Sequence, residues 1–455
     1  MARPVRRPSS PAARQAKAPT DPARLVAFRT LRAVVANGAY ANLELQQQRE
    51  QAHLNERDAA LATELVFGTT RLMGTYDRII VAASGRELSS LQPAVVDILR
   101  LGAHQLLSMR MPAHAAVSAT VDLAAAQVGE RVRGVVNAIL RRVGARTLDE
   151  WLDALAEGLD DLDALALRTH HPRWIVAAYA EVLPADELEG ALLANNVAPH
   201  TVLAARPGLL EPDDLGLPLT RYSPFGAVAH GDPGQLAAVQ AGLAGVQDEG
   251  SQLVALALAR VEAPAGTWLD TCAGPGGKAA LLVGLAQERG ESLLANERLP
   301  HRAELVAQAV RAYDDPRPWV IVGDATRPPW GSDRFARVMV DAPCTGLGAL
   351  RRRPESRWRR LPTAVAELVE LQKAILTEAV RSAVPGGVVA YVTCSPVRAE
   401  TAEVVRSVLA EVDAELVDAA ALLPEVPDCA DGTFVQLWPH RHGTDAMFLA
   451  LLRRR

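Results

Sequence analysis

The first third of the chain carries apolar residues at a spacing of three to four, which is the spacing of one face of an α-helix. The stretch "DPARLVAFRTLRAVV" opens this region, and Asp21 stands where the first helix needs an N-terminal cap. "QPAVVDILRLGAHQLLSM" and "RGVVNAILRRV" continue the same period. Five or more such helices within residues 21–146 predict a compact all-α bundle. An RNA-binding or docking module and a plain scaffold fit this pattern equally well.

The pattern changes at about residue 241, where short apolar runs begin to alternate with helical stretches. The runs "TWLDTC", "SLLANE", "PWVIVGDA", "RVMVDA" and "GGVVAYVTCS" predict strands. Repeated strand–helix units predict a doubly wound, mainly parallel, Rossmann-like sheet, which binds ligands beyond the carboxyl ends of its strands. "FVQLWP" and "AMFLALLRR" predict a closing antiparallel pair. We therefore expect one α/β domain over residues 241–455.

Three further segments complete the predicted organisation. Residues 1–20 hold five basic residues, four prolines and no acid, which is typical of a disordered basic tail, with a weak electrostatic contact to RNA as the alternative. Residues 147–167 carry seven acids and no base, and we read them as an acidic helical connector. Residues 168–240 mix a helical stretch, one strand candidate and turns rich in proline and glycine, which predicts a small α+β module.

Composition narrows the class of protein. A chain of 455 residues with 49% hydrophobic residues suggests two to four domains. The net charge of -5 gives no global basic excess, so any nucleic-acid binding must come from local patches. There is no apolar run long enough to span a membrane and no secretory h-region, and the four cysteines are far apart. We expect a cytoplasmic protein without disulfides and, because the histidines show no metal-binding spacing, without a metal.

A glycine-rich loop follows the first strand of the α/β domain. Its sequence, "CAGPGGK" over residues 272–278, matches neither the dinucleotide nor the phosphate-binding motif. Glycines here let the backbone approach a ligand at a helix N-terminus. Glu297 and Asp324 follow the next two strands, where carboxylates suit ribose hydroxyls and an adenine amino group. Each carboxylate alone is more often a cap or turn residue, but their common position predicts a site for S-adenosylmethionine.

Two cysteines follow later strands. "DAPCTG" contains Asp341 and Cys344, and "TCSP" contains Cys394. A lone buried cysteine is usually inert, but two at one rim beside a carboxylate predict a reactive thiolate. A thiolate with a methyl donor suits methylation of carbon 5 of a pyrimidine, because addition at carbon 6 makes carbon 5 nucleophilic. Asp341 would hold the ring, whereas Cys272 and Cys429 read as ordinary residues.

An arginine-rich stretch, "LRRRPESRWRR", comes directly after the "DAPCTG" turn. Such a charge run is usually a solvated face. Its position beside the predicted pocket instead favours contacts with RNA phosphates and an unstacked base. The residues predicted to contact RNA are Arg351, Arg352, Arg353, Arg357 and Trp358.

Several of these motifs resemble one known family. "LDTCAGPGGKAA", "DAPCTGLGALRRRPESRW", "LQKAILTEAV" and "YVTCSP" are similar to the RNA 5-methylcytosine methyltransferases of the NOL1/NOP2/Sun type. The helical region with "VVNAILRRV" resembles the NusB-type domain of the bacterial Sun/Fmu branch. Members of that branch methylate a cytosine in small-subunit (16S) ribosomal RNA. The resemblance covers about residues 21–455 and implies a catalytic role for the α/β domain.

The resemblance also implies roles for single residues. Glu297, where Asp is common in the family, would bind the ribose, Asp324 would lie at the adenine, and Asp341 would lie near the methyl group and the base. Cys394 would attack carbon 6 and Cys344 would assist product release; the chemistry alone does not choose between the two cysteines. The methionine end of the cofactor would be lined by Cys272, Ala273, Gly274, Pro275, Gly276, Gly277 and Lys278.

Three rival functions remain at this point. The same chemistry on tRNA or another rRNA site is a close rival that the sequence does not exclude. A small-molecule methyltransferase would leave the arginine run and the helical region without a role. A non-catalytic NusB-like assembly factor is opposed by the intact Lys278, Glu297, Asp341 and cysteines. For the partners we expect ribosomal RNA, no membrane and no metal, with the chain acting as a monomer.

Overall fold

The computed structural model describes residues 21–314 and 316–455, so the predicted tail over residues 1–20 lies outside the described part. The chain forms two compact units. The first contains the described residues up to Trp151 except Met73–Thr75, and the second contains Met73–Thr75 together with Leu152–Arg455.

The first unit is built from helices alone. Asp21 caps the first of them, since its Oδ1 accepts a 2.9 Å hydrogen bond from the amide of Arg24. The core is aliphatic, with Leu65 and Ile98 fully buried, and it encloses the Tyr76 hydroxyl, which bonds Nδ1 of His104 at 2.9 Å. The predicted all-α bundle is therefore confirmed. Its helices are α1 (Pro22–Asn37), α2 (Ala41–Ala52), α3 (Glu56–Arg71), α4 (Met73–Ser84), α5 (Pro93–Leu107), α6 (Ala113–Gln127) and α7 (Arg133–Val143).

The second unit begins with short helices and a small sheet. Asp160 caps one of these helices through the amide of Asp163. The three strands are antiparallel, in the order β2-β1-β3, and only β1 was expected from the sequence. The elements are α8 (Leu148–Ala156), α9 (Asp161–Arg168), α10 (Arg173–Ala180), α11 (Ala185–Ala194), β1 (Thr201–Ala205), β2 (Gly226–Ala229), α12 (Ala237–Ala241) and β3 (Ala244–Val246).

A nine-stranded mixed sheet with helices forms the rest of the second unit. The bounds are α13 (Glu249–Arg260), β4 (Trp268–Asp270), α14 (Gly277–Gln287), β5 (Leu293–Glu297), α15 (Pro300–Ala309), β6 (Trp319–Val322), β7 (Phe335–Asp341), α16 (Ser356–Arg359), α17 (Thr363–Ser382), β8 (Ala383–Thr393), α18 (Ala402–Leu409), β9 (Ala414–Val417), β10 (Ala430–Asp431), β11 (Phe434–Gln436), α19 (Pro439–His442) and β12 (Phe448–Arg454). The strand order is β10-β11-β12-β8-β7-β4-β5-β6, and β9 pairs with β12. The Rossmann-like fold and its antiparallel closing strands are confirmed.

The parallel part of this sheet positions the site. Strands β8, β7, β4, β5 and β6 run in the same direction, so their carboxyl ends meet at one edge. Both faces of the sheet are covered, because Leu269 and Val338 belong to one buried cluster and Trp268 and Met339 to the other. Rigid buried strands therefore carry the loops that follow Asp270, Glu297 and the later strand ends. No helix in the described part of the chain is long and apolar enough to cross a membrane.

Candidate active site

Two cysteine thiols meet at the carboxyl edge of the sheet. Strands β7 and β8 are neighbours, with Asp341 opposite Val392, and the loop after β7 therefore lies beside the end of β8. The amide of Gly348 donates to the carbonyl of Cys394 at 2.9 Å and holds the two segments together. As a result Sγ of Cys344 lies 3.5 Å from Sγ of Cys394. Both side chains are only partly buried as residues, so the pair lies at the rim rather than in the core.

The two thiols differ in their acidity. The hydrogen bond from Cys344 lowers the pKa of Cys394, and the cations Lys278 and Arg353 add to that effect against burial and the charge of Asp341. The same hydrogen bond, together with burial, raises the pKa of Cys344 well above its usual range. Cys394 is therefore the more acidic of the two thiols, and Cys344 is the one that more readily keeps its proton.

An ion pair stands beside these thiols. Nζ of Lys278, at the start of α14, lies 2.9 Å from Oδ2 of Asp341, at the end of β7. Burial lowers the pKa of Lys278, but the charges of Asp341 and Cys394 outweigh it and the net pKa is raised. Lys278 therefore stays an ammonium that can balance the Cys394 thiolate and the Asp341 carboxylate together.

The glycine loop closes tightly against the following strand and helix. The amide of Gly274 donates to Oε2 of Glu297 at 3.1 Å, and a Cβ at Gly274 would lie 2.2 Å from that oxygen. Gly276 has φ +110°, and a Cβ there would lie 2.5 Å from Cβ of Ala309. The loop can approach β5 and α15 this closely only because these positions have no side chain.

The two predicted nucleoside-binding carboxylates lie at adjacent strand ends. Glu297 is buried at the end of β5 and also accepts from the amide of Leu299 at 3.0 Å. Asp324 follows β6, and its Oδ1 accepts from the amide and the hydroxyl of Thr326, which lowers the pKa of Asp324. Both carboxylates thus serve as local turn acceptors, and among the described residues only Glu297 of the two hydrogen-bonds to the glycine loop.

Buried polar atoms at this edge fit a bound cofactor. Asp270, at the end of β4, is fully buried, and its Oδ2 has no hydrogen-bond partner among the described residues. Burial and the nearby charge of Asp341 raise the pKa of Asp270 to about 8. Oδ1 of Asn296 is likewise buried without a partner in the described part of the chain. Unsatisfied buried oxygens beside a glycine loop suit a ligand that carries amino and hydroxyl groups.

The remaining two cysteines are unlike the rim pair. Burial raises the pKa of Cys272 to about 12, and burial also raises the pKa of Cys429. Both are therefore protonated thiols near neutral pH. The described residues contain no group of three or more histidines, cysteines and acids that could hold a metal ion.

The structure differs from the prediction of an exposed arginine patch. Arg351 is buried, and its guanidinium lies 3.2 Å from Asp445. Arg352 is partly buried and bonds both Asp445 and Asp248, at 3.2 and 2.5 Å. The two arginines are structural because they pair with these acids. The acids lie far away in the sequence, so no local pattern predicts the pairing.

Arg357 departs furthest from that prediction. It is fully buried and donates to Oδ1 of Asn196 at 2.7 Å and to the carbonyl of His170 at 3.0 Å. A side chain with no exposed surface has no face for an RNA phosphate. Arg353 is exposed and keeps the accessibility that the RNA-contact prediction requires, whereas Trp358 is half-buried with its ring against Gly74.

Sequence reasoning missed one charged residue of this site, Glu400. It is fully buried, and its carboxylate accepts hydrogen bonds from Thr345 and Ser395, the residues that directly follow the two rim cysteines. Glu400 stands at the start of the helical stretch "AETAEVVRSVLAEV", where an acid needs no special explanation. The available signal was the hydroxyl residue after each cysteine, because two buried hydroxyls require acceptors.

These features define a class of protein: a methyltransferase that uses S-adenosylmethionine on a Rossmann-like sheet, as the sequence predicted. The chain belongs to the 16S rRNA methyltransferase RsmB/F family, whose model matches residues 255–453, and the NusB family model matches residues 21–145. Both family resemblances noted in the sequence are therefore confirmed.

Relatives span the whole chain. Rv1407 of Mycobacterium tuberculosis, assigned only to the methyltransferases, is 48% identical over 448 residues, covering 96% of this chain and 97% of that protein. Ribosomal RNA small subunit methyltransferase B of Vibrio cholerae is 31% identical over 454 residues, covering 93% and 97%. Among solved structures, PH0851 has a TM-score of 0.79 at 20% identity and covers 96% of this chain and 99% of its own, which supports the fold.

Proposed function

We propose that this protein forms 5-methylcytosine in small-subunit (16S) ribosomal RNA, using S-adenosylmethionine and a covalent bond between Cys394 and carbon 6 of the base. The observation that carries the proposal is the thiol pair: Cys394 is the more acidic partner of Cys344 at 3.5 Å. The family and the rRNA-specific name of the Vibrio cholerae relative support the choice of RNA.

Cys394 acts as the nucleophile. Carbon 5 of cytosine is a poor nucleophile until a thiolate adds to carbon 6 and turns the C5–C6 bond into an enamine. The cofactor supplies an electrophilic methyl group, which carbon 5 then takes up. Loss of the proton on carbon 5 restores the double bond and expels the Cys394 thiolate, so the enzyme is regenerated.

Cys344 accepts the carbon 5 proton in the second half of this cycle. The largest cause of its raised pKa is the hydrogen bond to Cys394. When Cys394 is bonded to carbon 6 it carries no negative charge, so that cause disappears and the pKa of Cys344 falls. Cys344 can then ionise and remove the proton whose loss releases the product, which gives the two cysteines different tasks in one turnover.

The remaining site residues bind and orient. Asp341, which pairs with Lys278 at 2.9 Å, would accept from the exocyclic amino group of cytosine. The loop over residues 272–278 would hold the methionine end of the cofactor, Glu297 its ribose and Asp324 its adenine. Arg353 and Trp358 would contact the RNA, and the target base has to leave its stack to reach Cys394.

The test is a denaturing gel of full-length variants incubated with S-adenosylmethionine and unmodified small-subunit rRNA. Cys344→Ala should accumulate a covalent protein–RNA band, and Cys394→Ala should give none. Cys429→Ala is the matched control, because Cys429 is not part of the thiol pair, and this variant should turn over without a trapped band. The reverse pattern would make Cys344 the nucleophile. Methyl transfer to tRNA but not to rRNA would show that tRNA, and not rRNA, is the substrate.

A further inference from the structure

Glu400 connects the two segments that carry the rim cysteines. Its Oε1 accepts from the amide of Thr345 at 2.8 Å, and its Oε2 accepts from the Thr345 hydroxyl at 2.5 Å and from the Ser395 hydroxyl at 2.6 Å. Thr345 follows Cys344, and Ser395 follows Cys394. One carboxylate therefore holds both loops at the positions next to the reactive sulfurs.

The carboxylate of Glu400 is itself held in place. Nε2 of Gln372, on α17, lies 3.1 Å from Oε1 of Glu400 and 2.8 Å from the carbonyl of Pro343. The Tyr391 hydroxyl donates to the backbone carbonyl of Glu400 at 2.8 Å. The Glu400 side chain is held in one position, because it has no exposed surface and its hydrogen bonds reach several different segments.

We propose that Glu400 is the positioning residue that sets the 3.5 Å contact between Cys344 and Cys394 and fixes which of the two is the nucleophile. This inference rests on the proposed function, because it explains the division of tasks between the cysteines. Glu400 touches neither sulfur, so it acts through Thr345 and Ser395 and through its charge.

The charge of Glu400 acts on one cysteine. After the hydrogen bond and burial, negative charges that include Glu400 raise the pKa of Cys344. Cys394 is near the carboxylate of Asp341, which raises its pKa, but it also faces the cations Lys278 and Arg353, which lower it. The negative charge of Glu400 near Cys344 and the positive charges near Cys394 keep the proton on Cys344. Cys344 therefore donates the hydrogen bond and Cys394 accepts it.

Glu400→Gln separates the charge from the hydrogen bonds. The amide has the same shape, and the Thr345 and Ser395 hydroxyls can rotate to accept from its NH₂ group. Cys344 should then ionise at lower pH, and the preference for Cys394 should weaken. Glu249→Gln is the matched control: Glu249 is also buried and accepts from backbone amides, including that of Ser223 at 2.8 Å, but contacts neither cysteine loop.

The readout is alkylation by iodoacetamide across pH, with each cysteine peptide quantified by mass spectrometry in the full-length protein without RNA or cofactor. Wild type and Glu249→Gln should label Cys394 much faster than Cys344 near neutral pH. In Glu400→Gln the ratio should fall about tenfold, the change that one pKa unit in the thiolate fraction produces. In methyl transfer, kcat should fall while KM for the cofactor stays constant.

An unchanged labelling ratio in folded Glu400→Gln would overturn the inference. If that variant does not fold, Thr345→Val and Ser395→Ala each remove one hydroxyl bond to Glu400 and leave its charge, and both should lower kcat without moving the cofactor KM; an unaltered kcat in both would overturn it equally. Because labelling needs no substrate, a changed ratio in a protein that methylates no RNA would reject the proposed function alone.

Discussion

Nζ of Lys278 lies 2.9 Å from Oδ2 of Asp341, although 63 residues separate them in the chain. The pair joins the glycine loop on α14 to the end of β7, and it brings a cation within range of the Cys394 sulfur. Lysine is rare in this protein, with Lys17, Lys278 and Lys373 as its only examples, so a second lysine cannot take over this role.

Lys278→Met should therefore raise the pKa of Cys394 and leave Asp341 without its partner. We expect kcat for methyl transfer to fall by about tenfold or more, which corresponds to roughly one unit in a pKa. The rising limb of the pH–rate profile should move to higher pH. Lys373→Met is the control, since Lys373 pairs with the exposed Glu370 at 3.1 Å. Equal pH–rate profiles for both variants would show that Lys278 does not affect the pKa of Cys394.

Gly274→Ala should abolish cofactor binding. The added Cβ would lie 2.2 Å from Oε2 of Glu297, so either the loop or the carboxylate has to move. Isothermal calorimetry should detect no binding of S-adenosylmethionine, and thermal unfolding should reflect a loss of about 1–3 kcal/mol from overpacking. Gly190→Ala is the matched control, because Gly190 lies in α11 with open space around it. This variant should bind S-adenosylmethionine normally, and its free energy of unfolding should rise by up to about 1 kcal/mol.

The local pattern of the sequence predicts much of this fold, because helix and strand periods are local properties. Helix α1 with its Asp21 cap and strands β4 to β8 follow from it. The pairs that build the site are not local: Cys344 and Cys394 are 50 residues apart, and Glu400 is 55 residues from Thr345. The order of the parallel strands determines which distant residues come into contact, and the hydrophobic periodicity of the sequence does not specify that order.

The arginine-rich stretch is a second case in which contacts between distant residues are missing from the sequence-based prediction. The sequence predicts its charge correctly but not its partners, because Asp445 lies 94 residues from Arg351. Burial of Arg357 depends on Asn196, 161 residues earlier in the chain. Local charge density therefore identifies a basic segment, but tertiary contacts determine that Arg351, Arg352 and Arg357 within it are structural.

Arg357→Ala and Arg353→Ala should consequently have opposite effects. Loss of the buried Arg357 guanidinium leaves the Asn196 and His170 oxygens unpaired and should cost roughly 2–3 kcal/mol in the free energy of unfolding. Arg353→Ala removes an exposed side chain and should change that free energy far less. It should instead weaken RNA binding and reduce the slope of log affinity against log salt by about 1. Filter binding at several salt concentrations tests this, and an unaltered slope would exclude Arg353 from phosphate contact.

Asp270 should make stability depend on pH. An unfolded aspartate titrates near pH 4, whereas burial and Asp341 raise the pKa of folded Asp270 to about 8. The raised pKa means that the stabilising contribution is complete below about pH 4 and is lost as pH rises through about 8. Asp270→Asn should remove this dependence, so its thermal midpoint should fall less than that of wild type between pH 6 and 9. The exposed Asp186→Asn should track wild type; if Asp270→Asn does so too, Asp270 ionises normally.

Peroxide should join Cys344 and Cys394. The Cys394 thiolate attacks one peroxide oxygen and forms a sulfenic acid with release of hydroxide, which takes up a proton from solvent. The Cys344 thiol, 3.5 Å away, then attacks the sulfenic sulfur, forms the disulfide and releases water. Mass spectrometry should find the two peptides linked, with loss of two hydrogens, and dithiothreitol should restore activity. Cys272 and Cys429 should stay reduced because burial raises their pKa values. In Cys344→Ala the sulfenic acid has no neighbouring thiol and should be trapped by dimedone. Linkage through Cys272 instead would mean that the rim cysteines do not face each other in solution.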